Sequence, residues 1–206
     1  MSVLPRVYLA GPDVFLPDPL GRAAMLKAIC VEHGLHGVSP LDGLADEPAD
    51  WARLDEARRI ALRNEAHIGS CAALVANLTP FRGPSADAGT VFELGFMRGL
   101  GRPVFGWTNS GEAFTERTRA FAGDAATADG DDWRDGEGML IEAFGLADNL
   151  MLEGAILSSG GRLYGHASQP GRRWTDLGAF RRCIAAAGSV LGRQTAPPLI
   201  FQRSEP

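Results

Sequence analysis

Two acidic side chains and one tyrosine are the residues of this sequence that are best suited to catalysis. Asp87 and Glu93 are six residues apart in the stretch PFRGPSADAGTVFELG (80–95), and Tyr8 lies far upstream in the short apolar run RVYLA. A carboxylate close to the start of a helix is kept ionised by the positive end of the helix dipole, as a nucleophile must be. Two carboxylates beside an aromatic hydroxyl indicate a candidate sugar-handling site.

Glu93 has a second interpretation that is purely structural. Thr90 followed three residues later by Glu93 has the spacing of a capping box, in which both side chains bond backbone N–H groups at a helix start. Such a cap is worth about 1 kcal/mol. A Glu93→Ala variant separates the two roles, because lost turnover with retained binding indicates a nucleophile, whereas loss of both indicates a cap.

Strand and helix patterns alternate along most of the chain. The predicted strands are 6–10, 37–40, 72–78, 102–107 and 162–164, and the predicted helices are 20–33, 51–68, 90–100, 138–152 and 177–191. This alternation predicts an α/β, Rossmann-like or flavodoxin-like three-layer fold with a central parallel sheet. Ligands of such sheets bind beyond the carboxyl ends of the strands, where Asp87 and the loops after 6–10 and 37–40 are expected.

The length of 206 residues predicts a single domain (1–206) with two additions to the alternating pattern. Small, acidic and glycine-rich residues at about 109–138 predict a surface excursion or partly mobile flap. The proline-rich end, at about 196–206, predicts an extended C-terminal tail. The composition, 45% hydrophobic and 22% charged, is ordinary for a globular protein.

Composition also excludes several classes of partner. The net charge of −5 argues against a nucleic-acid backbone as the main ligand, because phosphate binding needs clustered Lys and Arg. The local cluster Arg172, Arg173, Arg181 and Arg182 indicates either a basic patch or, as we favour, a solvated helix face near the C-terminus. No apolar stretch is long enough for a membrane span, and no signal-peptide pattern is present.

The cysteines and histidines predict neither a disulfide scaffold nor a metal site. Three cysteines are few, odd in number and far apart, which favours a reducing, cytoplasmic compartment. The four histidines form no ligand cluster with cysteines or acids, so neither a metal nor another cofactor is expected. These residues are Cys30, Cys71, Cys183, His33, His36, His67 and His166.

Three motifs, in order, resemble the nucleoside 2-deoxyribosyltransferase family. The first is VYLAGP (7–12) with Phe15, and the second is ANLTPFRG (76–83) running on through D-x-G-T-x-x-E-x-G (87–95). The third is NLML (149–152). Each motif alone is common, but their order and spacing fit the family over roughly the first 155 residues.

The resemblance implies an enzyme that transfers 2-deoxyribose between nucleobases, without a cofactor, as a step of nucleotide salvage. Glu93 resembles the nucleophile that displaces the base and forms a covalent glycosyl ester, so that a retaining double displacement results. Tyr8 resembles the residue that orients this carboxylate, and Asp87 resembles the acceptor for the sugar 5′-hydroxyl. Whether only purines or also pyrimidines are accepted stays open.

The resemblance also implies a site shared between subunits. Asn149 resembles an asparagine that reaches the sugar in the neighbouring subunit, and Met151 would lie beside the base, so a homo-oligomer is expected. The remaining candidates for binding the substrate are Gly11, Phe15, Leu41, Asp42, Asn77 and Phe81.

Asn77 departs from the family pattern. Several members have at this position an aspartate that helps to protonate the departing base, and an amide cannot deliver a proton. Asp42 or another nearby acid must then take this task, or the base leaves with help from hydrogen bonds and water alone.

Three alternatives to a transferase stay open. One is a nucleoside hydrolase, and another is a hydrolase of nucleoside 5′-monophosphates. Asp87 would repel a phosphate, although Arg82 favours one if its guanidinium points inward. The third is a non-catalytic nucleotide-binding module, because fold does not fix function.

Overall fold

A computed structural model of the chain describes residues 3–195. The strands are β1 (Arg6–Ala10), β2 (His36–Val38), β3 (Ala73–Asn77), β4 (Val104–Thr108), β5 (Thr127–Asp129), β6 (Asp132–Arg134), β7 (Leu140–Ile141) and β8 (Leu163–Gly165). The α-helices are α1 (Pro19–Glu32), α2 (Glu56–Gly69), α3 (Ala88–Gly99), α4 (Phe114–Ala122), α5 (Leu150–Ser158) and α6 (Gly178–Thr195).

Five parallel strands form the central sheet in the order β2-β1-β3-β4-β8. Counted along the chain, this is the flavodoxin-like order 2-1-3-4-5, whose reversal at β1 and β3 places ligands beyond the carboxyl ends of those two strands. The predicted α/β three-layer fold with a central parallel sheet is therefore confirmed.

Side chains alternate across the sheet and divide the core into two layers. Val7 and Leu9 pack on one face with α1 and α6, whereas Tyr8 and Ala10 pack on the other face with α2, α3 and α5. Consecutive residues of one strand therefore reach opposite sides of the sheet. At the carboxyl edge of the sheet, the same alternation places polar side chains on both faces.

The prediction of a helix at 138–152 is wrong. This stretch contains the two-residue strand β7, a turn with Gly145 in the left-handed region (φ 69°), and the start of α5 after its N-cap Asn149. Its apolar residues belong to two different elements, so their helical spacing is coincidental. The helix predicted at 51–68 begins at Glu56, because Asp55 caps it by accepting from the Arg58 N–H.

The segment predicted as a surface excursion contains α4 and most of a small antiparallel sheet, in the order β5-β6-β7. The guanidinium of Arg119 on α4 lies 3.4 Å from the ring centroid of Trp133 on β6, which joins the helix to this sheet. The predicted tail (196–206) lies outside the described residues. Within residues 3–195, no helix combines the length and hydropathy that a bilayer span requires.

Candidate active site

A short hydrogen bond joins Tyr8 on β1 to Glu93 on α3. The Tyr8 hydroxyl donates to Glu93 Oε1 at 2.6 Å, and the Tyr8 side chain is fully buried. The two residues are 85 positions apart in sequence, so only the parallel packing of β1, β3 and α3 brings them together. One oxygen of Glu93 is thereby fixed in position.

Burial makes Glu93 an unusual carboxylate. The pKa of Glu93 is raised to about 7, because removal from water and the negative charge of Asp87 raise it by more than the hydrogen bond from Tyr8 lowers it. Burial, followed by the charge of Glu93, raises the pKa of Tyr8, so its hydroxyl keeps its proton. A carboxyl group that titrates close to neutral pH is typical of catalytic sites.

The capping-box interpretation of Glu93 is wrong. Helix α3 begins at Ala88, and its N-cap is Asp87, whose Oδ2 accepts from the backbone N–H and the hydroxyl of Thr90. Glu93 lies in the second turn, beyond the reach of the unpaired N–H groups at the helix start. The cap uses only Oδ2 of Asp87, so Oδ1 is available to a ligand.

A buried ion pair holds the loop that leads into Asp87. Asp148 is 1% exposed and accepts from the Ser85 hydroxyl (2.5 Å) and the Ala86 N–H (3.0 Å). Arg117 on α4 approaches Asp148 to 3.6 Å and donates to the carbonyl of Pro84. Neither residue was predicted from the sequence, although Asp148 directly precedes Asn149.

We expect Asp148→Ala to lower the free energy of unfolding by about 3 kcal/mol, because it leaves Arg117 buried without its anion. The matched control is Glu116→Ala, which breaks the exposed Arg119–Glu116 pair on the same helix and should change stability by less than about 1 kcal/mol. Urea unfolding of both variants measures the difference. Equal losses would show that the Asp148 pair does not hold this loop.

An aromatic cluster borders the same edge of the sheet. The rings of Phe15 and Phe81 stack with centroids 5.3 Å apart, and Trp174 meets Phe81 edge-on at 6.1 Å. The Arg82 guanidinium lies over both stacked rings, and its backbone occupies the left-handed region (φ 55°). Phe15 is 56% exposed, so this cluster offers an aromatic surface on which a flat ligand could stack.

Asn77 forms part of a buried polar network on the other side of the β1–β3 edge. Its Nδ2 donates to Asp13 Oδ2 at 2.8 Å, and its Oδ1 accepts from the Thr79 N–H. Asp13 also accepts from Arg22 Nε at 2.7 Å. A Cβ at Gly11 would lie 2.7 Å from Asn77 Cβ and 2.8 Å from Asp13 Oδ2, so glycine is required there.

Two other predicted residues, Asp42 and Asn149, bond to groups other than Tyr8 and Glu93. Asp42 accepts from Lys27 and from the Ser39 N–H at the β2 side of the sheet. Asn149 caps α5 through the Met151 N–H, and its Nδ2 donates to Glu142. The part of the chain that the structure describes contains no group of three His, Cys, Asp or Glu side chains that could hold a metal ion.

The fold and this edge define an α/β protein with a partly buried tyrosine–carboxylate pair at the switch point of a parallel sheet. The sequence model of the family described as nucleoside 2-deoxyribosyltransferase matches residues 7–151. The chain belongs to this family.

Two other proteins are similar to this chain over most of its length. An uncharacterized protein of Schizosaccharomyces pombe is 35% identical over 170 residues, which cover 77% of this chain and 80% of the relative. The structure of the 2-desoxiribosyltransferase from Leishmania mexicana is similar with a TM-score of 0.55 and 30% identity, covering 72% of this chain and 85% of that one.

Proposed function

We propose that the protein transfers 2-deoxyribose between nucleobases by a retaining double displacement through a glycosyl ester on Glu93. The observation that carries this proposal is the 2.6 Å hydrogen bond from Tyr8, which orients one partly buried carboxylate beside the carboxyl edge of the sheet. Family membership supports the same reaction class.

The chemistry follows in two balanced steps. An oxygen of ionised Glu93 attacks the anomeric carbon of a deoxynucleoside, the bond to the base nitrogen breaks, and its electron pair leaves with the base. A second base then attacks the same carbon from the opposite side and loses its ring N–H proton, while the electron pair of the ester bond returns to Glu93. This proton balances the one that the departed base takes up. Two inversions give overall retention. Asp87 Oδ1 would accept the 5′-hydroxyl of the sugar.

We further propose that the site is completed by a second copy of the chain. Glu93 borders a mostly apolar cavity of about 280 Å³ between α2 and α3, beside the exposed side chains of Ile60 and Phe92. Met151, at the start of α5, is 68% exposed. Covering these apolar side chains favours association, and Asn149 and Met151 would enter the neighbouring site.

Incubation with a 2′-deoxynucleoside, with and without a different free base, tests the proposal by chromatography. A new deoxynucleoside that forms only with the added base is the expected result. Base release at one rate regardless of the acceptor would instead indicate a nucleoside hydrolase. No reaction with any deoxynucleoside, but release of base from a 5′-monophosphate, would contradict the proposal and the role of Asp87.

We expect the pH dependence of kcat/KM to shift in opposite directions in two variants. Because the nucleophile must be ionised, kcat/KM should rise with pH through the Glu93 pKa of about 7. Tyr8→Phe removes a hydrogen bond that lowers this pKa, so its profile should move to higher pH. Asp87→Asn removes a charge that raises the pKa, so its profile should move to lower pH, and asparagine preserves the cap.

Rates of base release measured between pH 5 and 9 provide this comparison, with exposed Asp55→Asn as a control that also preserves a helix cap. Shifts of the same sign in Tyr8→Phe and Asp87→Asn would contradict Glu93 as the titrating group.

A further inference from the structure

The departing base needs a proton, and the direction of displacement restricts where its donor can lie. A base that leaves with the electron pair of the glycosidic bond is a poor leaving group unless a ring nitrogen is protonated as the bond breaks. Nucleophile and leaving group lie on opposite sides of the carbon under attack. The proton donor must therefore lie on the side of this carbon that is opposite to Glu93.

Several acids near this edge of the sheet do not meet that condition. Glu93 and Tyr8 belong to the face of the sheet covered by α2, α3 and α5. Asp87 is the N-cap of α3, and Glu65 on α2 lines the same cavity as Glu93, so both acids lie on the side of Glu93. Asp42 is held by Lys27 and the Ser39 N–H beyond β2, at the edge of the sheet. These positions do not suit the donor.

Asp13 meets the condition. It follows β1 and bonds Asn77, which continues the β3 alternation of Ala73 and Val75 and so points to the opposite face, covered by α1 and α6. Arg22, on α1, binds the other oxygen of Asp13. Asp13 thus lies on the side of the β1–β3 edge that is opposite to Glu93.

Asp13 is more accessible than its partners in this network. The Asp13 side chain is 13% exposed, whereas Asn77 is 1% and Arg22 is 4% exposed. Arg22 Nη2 is buried without a hydrogen-bond partner, an arrangement that is costly for stability alone. Each oxygen of Asp13 has accepted one bond and can take one more.

The turn that carries Asp13 also carries an aromatic surface. Residues Pro12–Phe15 form a single 3₁₀ turn, and the exposed ring of Phe15 stacks on Phe81. A base lying on Phe15 would be close to the carboxyl group two residues earlier in the same turn. A flat apolar surface and one polar group are the two elements that a nucleobase site needs.

We propose that Asp13 is the catalytic acid and base for the nucleobase, which extends the proposed function. In the first step Asp13, which takes up one proton from water when the deoxynucleoside binds, gives that proton to N7 of the departing purine and becomes again the carboxylate that the Arg22 charge stabilises. In the second step N9 of the incoming purine attacks the anomeric carbon, and its N7 proton passes to Asp13. The proton is returned, so no other reactant is needed.

A substrate that needs no proton provides the test. In 7-methyl-2′-deoxyguanosine the purine already carries a positive charge, so its base leaves without protonation. We expect Asp13→Asn to lower single-turnover base release from 2′-deoxyadenosine by about 10²–10⁴-fold. Release from the methylated nucleoside should fall by only a few-fold. A merely structural role would lower both rates equally.

Two further variants control for folding and for charge. Because Asp13→Asn leaves Arg22 buried without an anion, the double variant D13N/R22M removes the whole pair and should show the same selectivity between substrates. Asp18→Asn removes a carboxylate five residues away and keeps the α1 cap, so both rates should stay at wild-type values.

The measured rates distinguish the role of Asp13 from the transfer reaction itself. Equal losses on both substrates, or no loss on 2′-deoxyadenosine, would overturn the role of Asp13 while leaving transfer intact. A wild-type protein that releases no base from either nucleoside would overturn the proposed function and this inference together.

Discussion

Replacing Glu93 by glutamine should lower turnover of a deoxynucleoside by about 10⁴-fold or more, because an amide cannot form the glycosyl ester. Glutamine has nearly the same shape and can still accept the hydrogen bond from Tyr8 through its carbonyl oxygen. Glu93 also contributes nothing to the α3 cap, which belongs to Asp87. The variant should therefore fold normally and still bind nucleosides.

Mass spectrometry provides a direct measurement of the intermediate. Wild-type protein mixed with a deoxynucleoside and no acceptor should gain the mass of one deoxyribosyl group on the peptide that contains Glu93. Glu93→Gln should gain none, whereas the control Glu116→Gln, on the exposed side of α4, should behave as wild type. Turnover at the wild-type rate, or an adduct on another residue, would remove Glu93 from the mechanism.

The secondary structure near the nucleophile follows from local patterns. Residues 73–77 form an uninterrupted buried run, as expected for a central parallel strand, and the helix that contains Glu93 was predicted within two residues of its observed start. The segment 138–152 could not be assigned in this way. Its strand β7 is defined by pairing with β6, and a two-residue strand carries almost no periodicity.

The contacts of the candidate site, in contrast, join residues that are far apart in the sequence. Tyr8 and Glu93 were singled out through motifs, but their contact depends on the packing of elements 85 residues apart. The bonds from Asp13 to Asn77 and from Asp148 to Ser85 join residues more than 60 positions apart. No spacing rule connects such residues, since the register of the sheet and the packing of its loops bring them together.

The side-chain amide of Asn149 is only partly engaged within its own chain. Within one chain its amide is engaged, because Oδ1 accepts from the Met151 N–H and Nδ2 donates to Glu142. An amide nitrogen has two N–H groups, so one stays available for a sugar in a neighbouring subunit. The exposed Met151 beside it supports contact with a partner.

Mixing two inactive variants should restore activity if Asn149 acts in the neighbouring subunit. Glu93→Gln supplies an intact Asn149, and Asn149→Ser, which can still cap α5, supplies an intact Glu93. In a dimer with random exchange, half of the molecules are mixed and each has one complete site, so about a quarter of wild-type activity should return. Transfer assays after subunit exchange measure this recovery.

A second mixture shows whether the recovery reports a shared site. Tyr8 and Glu93 are bonded within one chain, so Tyr8→Phe mixed with Glu93→Gln creates no complete site and should recover nothing. Recovery in both mixtures would indicate stabilisation by association rather than exchange of residues. Absence of recovery in the Asn149 mixture, with exchange verified by differently tagged subunits, would place the whole site within one chain. The apolar side chains near Glu93 would then need another explanation.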